Sequence, residues 1–194
     1  MTLISPLSNI HKIGTFGNIE NKSKDSLLEI TEEKSKKIYQ ITKFKNSNLY
    51  LNDFLIEDLK ISNDAMIVKS NLNTRILWTG PNQWLLVSDN QNLKEELNKF
   101  DTDNFAVTDL SHTRTIIKIK GNDTLEVLKK GCPFDFNNFK KNMSVNSVYH
   151  SIAITLDFLS DNPHTIRVMS LRSFGESLYH SITDASLEYG YNCV

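Results

Sequence analysis

The sequence predicts an α+β fold, with antiparallel sheets and helices packed on one face of each sheet. Three observations lead to this fold class: apolar residues alternate with polar ones in short runs, tight turns join neighbouring runs, and other segments carry apolar residues at helical spacing. Strands joined by short turns pair antiparallel, and an amphipathic helix buries its apolar stripe on a sheet. The order of the elements therefore predicts two small sandwiches.

The chain is long enough for a substantial core, with 194 residues and a mass of 22.2 kDa. We divide it into an N-terminal arm at 1–26, a first α+β lobe at 27–100 and a second α+β lobe at 101–194. The arm is polar and contains Gly14 and Gly17, which is typical of an extended segment or loop.

The first lobe is predicted to contain strands followed by short helices. Leu51, Phe54, Leu55 and Leu59 are helically spaced and predict a helix over 48–59. A second helix over 91–100 has a capping-box pattern in Asn92 and Glu95. The strand candidates are 27–32, 38–44, 66–69, 75–79 and 83–87, the last two separated by the turn Gly80-Pro81-Asn82.

The second lobe begins with strands at 105–109 and 114–120. A helix follows, capped by Asn122 or Asp123 and stopped by Gly131 and Pro133. Strands are predicted at 146–158 and 164–171. The last helix starts at Ser173, with Glu176 completing a capping box and Gly190 at its end, and its predicted apolar face is Phe174, Leu178, Ile182, Ala185 and Tyr189.

Composition excludes several classes of protein. With 22 basic and 23 acidic residues the net charge is −1, which gives no attraction to nucleic acid or to an anionic membrane. No apolar run approaches the roughly 18–20 residues of a spanning helix, and the N-terminus lacks a signal-peptide core. Two cysteines do not make a disulfide scaffold, so we expect a cytoplasmic protein.

Candidate nucleophiles are weakly supported. Asp109 and Ser111 share one face of a strand while His112 points to the other, so backbone hydrogen bonding is favoured over a catalytic triad. Cys132 follows a helix C-terminus, where the dipole raises a thiol pKa, and we interpret it as a small buried residue. Cys193 lies near the chain end and is expected to be exposed.

Metal and phosphate motifs are missing from the sequence. The five histidines are scattered, there is no Cys-x-x-Cys, and neither GxGxxG nor a Walker loop occurs. The segment Gly14-Thr15-Phe16-Gly17 has the GxxG form of some RNA-binding loops but not their basic, helix-flanked setting. We therefore expect no catalytic, cofactor-binding or metal-binding residue in this chain.

Four segments, taken in order, resemble a known family. They are 77–87, 108–115, 127–136 and 171–178, and they include a G-P-x-x-W-L-L block followed by L-x-K-G-C-x-x-D. At these spacings the chain resembles the gamma subunits of heterotetrameric sarcosine oxidases over about 48–190. It departs from that pattern in its Lys/Asn-rich composition and over 146–163, where the turn Ser160-Asp161-Asn162-Pro163 is its own.

The resemblance implies a role in sarcosine catabolism and one-carbon metabolism. Such an enzyme demethylates sarcosine oxidatively to glycine, passes the one-carbon unit to tetrahydrofolate and reduces oxygen to hydrogen peroxide. FAD and FMN are then expected with the beta subunit and its interface to alpha, NAD with alpha and zinc with delta. The gamma subunit is implied to be a non-catalytic accessory chain, packed mainly against alpha and similar in fold to the folate-binding domain of aminomethyltransferases.

Two interpretations follow from the resemblance. In the first, the chain completes the assembly, and Trp84, Arg114 and Arg172 contact its partners. Trp78 and Trp84 also fit simple core filling, and each arginine also fits a local salt bridge. In the second, the chain is a free-standing folate-binding protein of aminomethyltransferase type, with Asp109 or Asp135 as its acid. An accessory subunit of a related N-methyl amine oxidase is a further alternative.

Overall fold

The computed structural model describes residues 4–47, 54–100 and 102–194. The described α-helices are α1 (Leu93–Leu97), α2 (Thr124–Lys129) and α3 (Gly175–Ser186). The described strands are β1 (Gly14–Phe16), β2 (Leu28–Glu32), β3 (Lys37–Lys43), β4 (Leu55–Ile56), β5 (Leu59–Lys60), β6 (Val68–Ser70), β7 (Thr74–Gly80), β8 (Gln83–Ser88), β9 (Phe105–Asp109), β10 (Arg114–Lys120), β11 (Ser144–Tyr149), β12 (Ile152–Asp161), β13 (His164–Leu171) and β14 (Tyr191–Cys193).

Contacts between Cα atoms divide the chain into two compact units. The first unit comprises 1–34, 113–141 and 146–194, and the second comprises 35–112 and 142–145. The division differs from the predicted one, because β1 and β2 of the N-terminal region join the sheet that β10 and β13 form. The arm is therefore part of a folded unit, in which Leu7 is fully buried.

The first unit is a sheet covered by helices. Its strand order is β1-β14-β2-β10-β13-β12-β11. The pairs β1–β14, β2–β10, β10–β13 and β12–β13 are antiparallel, and the pair β14–β2 is parallel. Helices α2 and α3 contact each other, and both contact β13. Their apolar stripes, with Val127, Leu128, Leu178 and Ile182 fully buried, form the core against the sheet.

The second unit holds a smaller antiparallel sheet with the order β6-β7-β8-β3-β9. Its core joins Ile41, Trp84 and Leu86 from the sheet to Leu93 and Leu97 of α1. The predicted α+β class with mainly antiparallel sheets is confirmed in both units. Among the described residues no helix combines the length and the apolar character needed to cross a bilayer.

The helix predicted over 48–59 is wrong in its described part. Residues 48–53 lie outside the described residues, but β4 and β5 form an antiparallel hairpin. The turn residues Glu57 and Asp58 have φ of 48° and 65°, the left-handed geometry of a tight type I′ turn. Along β4 and its partner β5, exposed residues alternate with more buried ones: Leu55 and Lys60 are exposed, Ile56 is buried and Leu59 is partly buried.

The strand predicted over 146–158 is two strands. His150 and Ser151 adopt φ of 44° and 72° and turn the chain between β11 and β12. Neither residue is the glycine, asparagine or aspartate that usually takes two successive positive φ angles, so the sequence carries no strong hairpin signal at this point.

The predicted capping hydrogen bonds are missing from all three described α-helices. Asn92, Asp123 and Phe174 are the N-cap residues, and none makes a side-chain cap hydrogen bond. A 3₁₀ turn over Arg172–Phe174 delays the start of α3 to Gly175, so Ser173 is not its cap. Phe174, predicted to face the core, is 47% exposed.

Candidate functional site

In the segment Asp109-Leu110-Ser111-His112, the side chains of Asp109 and Ser111 hydrogen-bond to backbone groups. Ser111 N donates to Asp109 Oδ1 at 2.9 Å, and Ser111 Oγ accepts a hydrogen bond from Ile38 N at 3.0 Å. Burial raises the pKa of the Asp109 carboxyl, but the hydrogen bonds from Ser111 and the charges of His112 and Lys37 together hold that pKa below its usual value. The carboxylate and the hydroxyl are thus engaged locally, as the structural interpretation predicts.

Both thiols lie inside the first unit. Cys132 is 4% exposed, and its Sγ donates to Ser147 Oγ at 3.3 Å. Cys193 is 2% exposed, with Sγ 2.9 Å from Tyr179 Oη. The prediction that Cys193 is exposed is wrong, because β14 is inserted between β1 and β2. Burial raises the pKa of each thiol, so neither is an activated nucleophile.

The alternative acid Asp135 lies at the start of a 3₁₀ turn. Its Oδ1 accepts a hydrogen bond from Asn137 N at 3.0 Å, a turn-forming contact. Asp135 belongs to the first unit and Asp109 to the second, and both are exposed. Within the described ranges, no group of three or more His, Cys, Asp or Glu side chains is placed to hold a metal ion.

The two tryptophans face each other across β7 and β8, at paired register positions. Trp84 is 1% exposed, and its Nε1 donates to the Ser62 carbonyl oxygen at 2.7 Å. Trp78 is partly buried against the same core. The structure therefore places Trp84 in the core of the second unit, and this residue does not offer a surface to a partner.

Arg172 lies at the rim of an open groove of about 690 Å³ in the first unit. The groove runs between the segment around Ile4, the end of β13 and the first turn of α3. The guanidinium donates through Nη2 to the Ile4 carbonyl oxygen. This contact is to a neutral backbone group, so it differs from the salt bridge that the structural interpretation of Arg172 predicts.

Arg114 lies directly across from Leu171 in the pairing of β10 with β13. It is half-buried, and burial lowers the pKa of its guanidinium. Within the described part of the chain its side chain has no ion pair or hydrogen bond. We call Ile4, Arg114, Leu171, Arg172 and Phe174 the arginine rim.

The arginine rim combines charge with exposed apolar surface. Ile4 is 70% exposed, Leu171 45% and Phe174 47%. Leu171 and Ile4 both line the groove, and Phe174 follows Arg172 in the 3₁₀ turn. Sequence reasoning found the two arginines through their rarity among the basic residues, but it missed the three apolar residues.

No protein-family model matches the chain. It is 28% identical over 120 residues to the sarcosine oxidase subunit gamma of Corynebacterium sp. (strain U-96). The chain is similar to a sarcosine oxidase gamma subunit. The matched segment is 60% of this chain and covers 58% of that relative's length.

Solved structures with the same fold agree with this similarity. One is the heterotetrameric sarcosine oxidase from Corynebacterium sp. U-96 in complex with pyrrole 2-carboxylate, with a TM-score of 0.79, 20% identity and coverage of 96% of this chain and 95% of that chain. Another is the glycine cleavage system aminomethyltransferase T from Bartonella henselae, with a TM-score of 0.68, 13% identity and coverage of 100% of this chain but 60% of that chain. The expected likeness to sarcosine oxidase gamma subunits and to aminomethyltransferases is confirmed at the level of the fold.

Proposed function

We propose that this chain is the non-catalytic accessory subunit, of gamma type, of a heterotetrameric sarcosine oxidase. The complex would demethylate sarcosine oxidatively to glycine and pass the one-carbon unit to tetrahydrofolate. The single observation that carries the proposal is the combined likeness to a gamma subunit, in sequence and in the fold of nearly the whole of both chains.

The chemistry of the described side chains supports an accessory role. Asp109 and Ser111 are committed to backbone groups, and both thiols are buried with raised pKa values. The reactive centres, with FAD, FMN, NAD and zinc, would lie in the alpha, beta and delta subunits. This chain would pack mainly against alpha and help to enclose the reactive one-carbon intermediate, since confinement protects such a species from water.

Co-purification tests the proposal. The tagged full chain is expressed together with the chains of its neighbouring reading frames, and the tag is used to isolate the complex. We expect this chain to elute together with three other chains, and we expect the complex to oxidise sarcosine. A chain that remains a monomer in native extract, or that turns over a methylated amine alone, would contradict the proposal.

A second candidate function is a free-standing folate-binding protein of aminomethyltransferase type. The observation in its favour is that the whole chain aligns with part of an aminomethyltransferase. Calorimetry of the purified chain with tetrahydrofolate separates the two functions. Micromolar binding by the lone chain would favour the folate-binding protein, whereas binding only by the complex favours the accessory subunit. If the complex forms but prefers another N-methyl amine, the assembly belongs to a related oxidase.

A further inference from the structure

A small cavity in the first unit is lined by aromatic rings and by polar side chains. It lies between residues 9–16, α3 and β14, and its volume is about 290 Å³, close to the lower limit of about 300 Å³ for ligand pockets. We call it the aromatic cavity. Its aromatic residues are Phe16, Tyr179 and Tyr191, and its charged or amide side chains are Asn9, Lys12 and His180. All of them belong to the same compact unit, so that unit alone builds the cavity.

The aromatic rings present flat apolar walls. The rings of Phe16 and Tyr191 have centroids 5.4 Å apart and planes inclined by 30°. Tyr179 and Tyr191 are 5% and 7% exposed, so packing holds them in place. Tyr179 Oη is hydrogen-bonded to Cys193 Sγ at 2.9 Å, which leaves its ring rather than its hydroxyl for a ligand. Such walls favour a further flat ring in an offset-stacked or edge-to-face arrangement.

Polar groups without partners accompany those walls. Asn9, Lys12 and His180 are exposed, and in the described part of the chain their side chains make no hydrogen bond or ion pair. The His11 ring centroid is 5.4 Å from that of Tyr179, and the buried His11 Nδ1 has no hydrogen-bond partner among the described residues. Buried polar atoms are normally paired, so the chain leaves polar groups here that a ligand can satisfy.

The charge of the aromatic cavity favours an anion. Lys12 supplies an ammonium group, protonated His180 would add a second positive charge, and no Asp or Glu of the described ranges lines the cavity. The larger groove at Arg172 differs, because Glu176 lines it as well and the two charges cancel. Of the two, the aromatic cavity alone selects a sign of charge.

We propose that the aromatic cavity binds a small aromatic acid, with one or two fused rings and a carboxylate. The ring system would stack on Phe16, Tyr179 and Tyr191. The carboxylate would accept hydrogen bonds from Lys12 Nζ and from a ring nitrogen of His180. The proposed accessory function uses none of these residues, so this site stands or fails independently of it.

The test titrates the full chain with 2-naphthoate and follows the histidine signals by proton NMR. Two control ligands separate the features of the probe: 2-naphthamide has the same rings without the charge, and decanoate has the charge without a ring. We expect 2-naphthoate to bind with a Kd of about 1 mM or tighter, and each control ligand to bind at least about threefold more weakly. The His180 signal should shift on binding, whereas that of His112 in the second unit should not.

Two variants locate the charge and the stacking surface. Lys12→Gln should abolish the preference for 2-naphthoate over 2-naphthamide, whereas Lys24→Gln, at an exposed position of the same unit, should retain it. Phe16→Leu should weaken 2-naphthoate about threefold or more and leave decanoate unchanged, because leucine keeps the apolar contact but not the flat ring. Circular dichroism confirms that each variant is folded, and Lys12→Gln changes only an exposed side chain.

Several results would overturn the site. They are the lack of a saturable shift up to about 10 mM 2-naphthoate, equal shifts of the His112 and His180 signals, tighter binding of decanoate, and a preference for the acid that survives in Lys12→Gln. None of these results bears on co-purification with the neighbouring chains, so the proposed function would still be tested separately.

Discussion

The tryptophan hairpin of the second unit and the arginine rim of the first unit use large side chains in opposite ways. In the hairpin of β7 and β8, Trp84 is buried, and its ring nitrogen donates to the Ser62 carbonyl oxygen. At the rim, Leu171 and Phe174 remain exposed, and the Arg114 side chain makes no ion pair or hydrogen bond with another described residue. A residue type that is common at interfaces is therefore informative only when its contacts within the chain are known.

The largest expected effect on stability comes from truncating Trp84 in the tryptophan hairpin. Trp84→Ala should lower the free energy of unfolding by about 3–5 kcal/mol, because it empties a core site and removes an indole hydrogen bond. Denaturant unfolding of the purified chain measures this loss. Leu72→Ala, at a position that is 96% exposed, serves as the control and should change the free energy by less than about 0.5 kcal/mol. A loss below about 1 kcal/mol for Trp84→Ala would place this residue outside the core.

The sequence predicts the fold where the signals are local. The strands at 105–109, 114–120 and 164–171 have the predicted bounds, since alternation and short turns mark them without help from distant residues. The hairpin of β4 and β5 was not predictable in this way. Its turn residue Glu57 accepts hydrogen bonds from Thr74 Oγ1 and Asn90 Nδ2, and these partners are distant in sequence.

The candidate site was predictable only in part. Arginines are few in this chain, so Arg114 and Arg172 stand out in the sequence. Exposure of Phe174 could not be predicted, because its spacing from Leu178 fits an apolar helix face. The 3₁₀ turn before α3 changes the direction of that side chain, and a 3₁₀ turn has no distinct sequence pattern here.

A buried tyrosine hydroxyl in the first unit makes the stability of the fold depend on pH. Burial raises the pKa of Tyr149 to about 12, and its Oη donates to the Val127 carbonyl oxygen at 3.0 Å. The fold thus favours the neutral phenol, whose unfolded pKa is about 10. The resulting stabilisation is complete below pH about 10 and is lost as the pH rises toward about 12.

Tyr149→Phe removes this contribution and tests its sign. At pH 7 the variant should be less stable by about 1 kcal/mol, because the Val127 carbonyl oxygen loses its donor. Between pH about 10 and 12 the unmodified chain should lose about 2 kcal/mol more than the variant. Denaturant unfolding across that range gives the difference. If the free energies of unfolding of the two proteins change in parallel with pH, then folding does not shift the pKa of Tyr149.

A smaller effect is expected where the rim meets the core. A Cβ at Gly175 would lie 2.4 Å from Thr115 Oγ1, and Thr115 is 1% exposed. Gly175→Ala should therefore lower the free energy of unfolding by about 1 kcal/mol, since the overlap exceeds the gain in helix propensity. In the background of Thr115→Ala, the substitution Gly175→Ala should cost much less free energy of unfolding than it does in the unmodified chain. Additive losses would mean that the two side chains do not contact.

The smallest effect on stability distinguishes a rim residue in the 3₁₀ turn from a core residue in α3. Phe174 and Leu178 are one turn apart, but Phe174 is 47% exposed and Leu178 is fully buried. Leu178→Ala should cost about 2–4 kcal/mol. Phe174→Ser should change the free energy of unfolding by less than about 1 kcal/mol, because about half of the ring is already exposed in the folded chain. Thermal melts of both variants measure this contrast. If Phe174→Ser instead destabilises the chain as strongly as Leu178→Ala, the phenyl ring belongs to the core and the arginine rim loses one of its apolar residues.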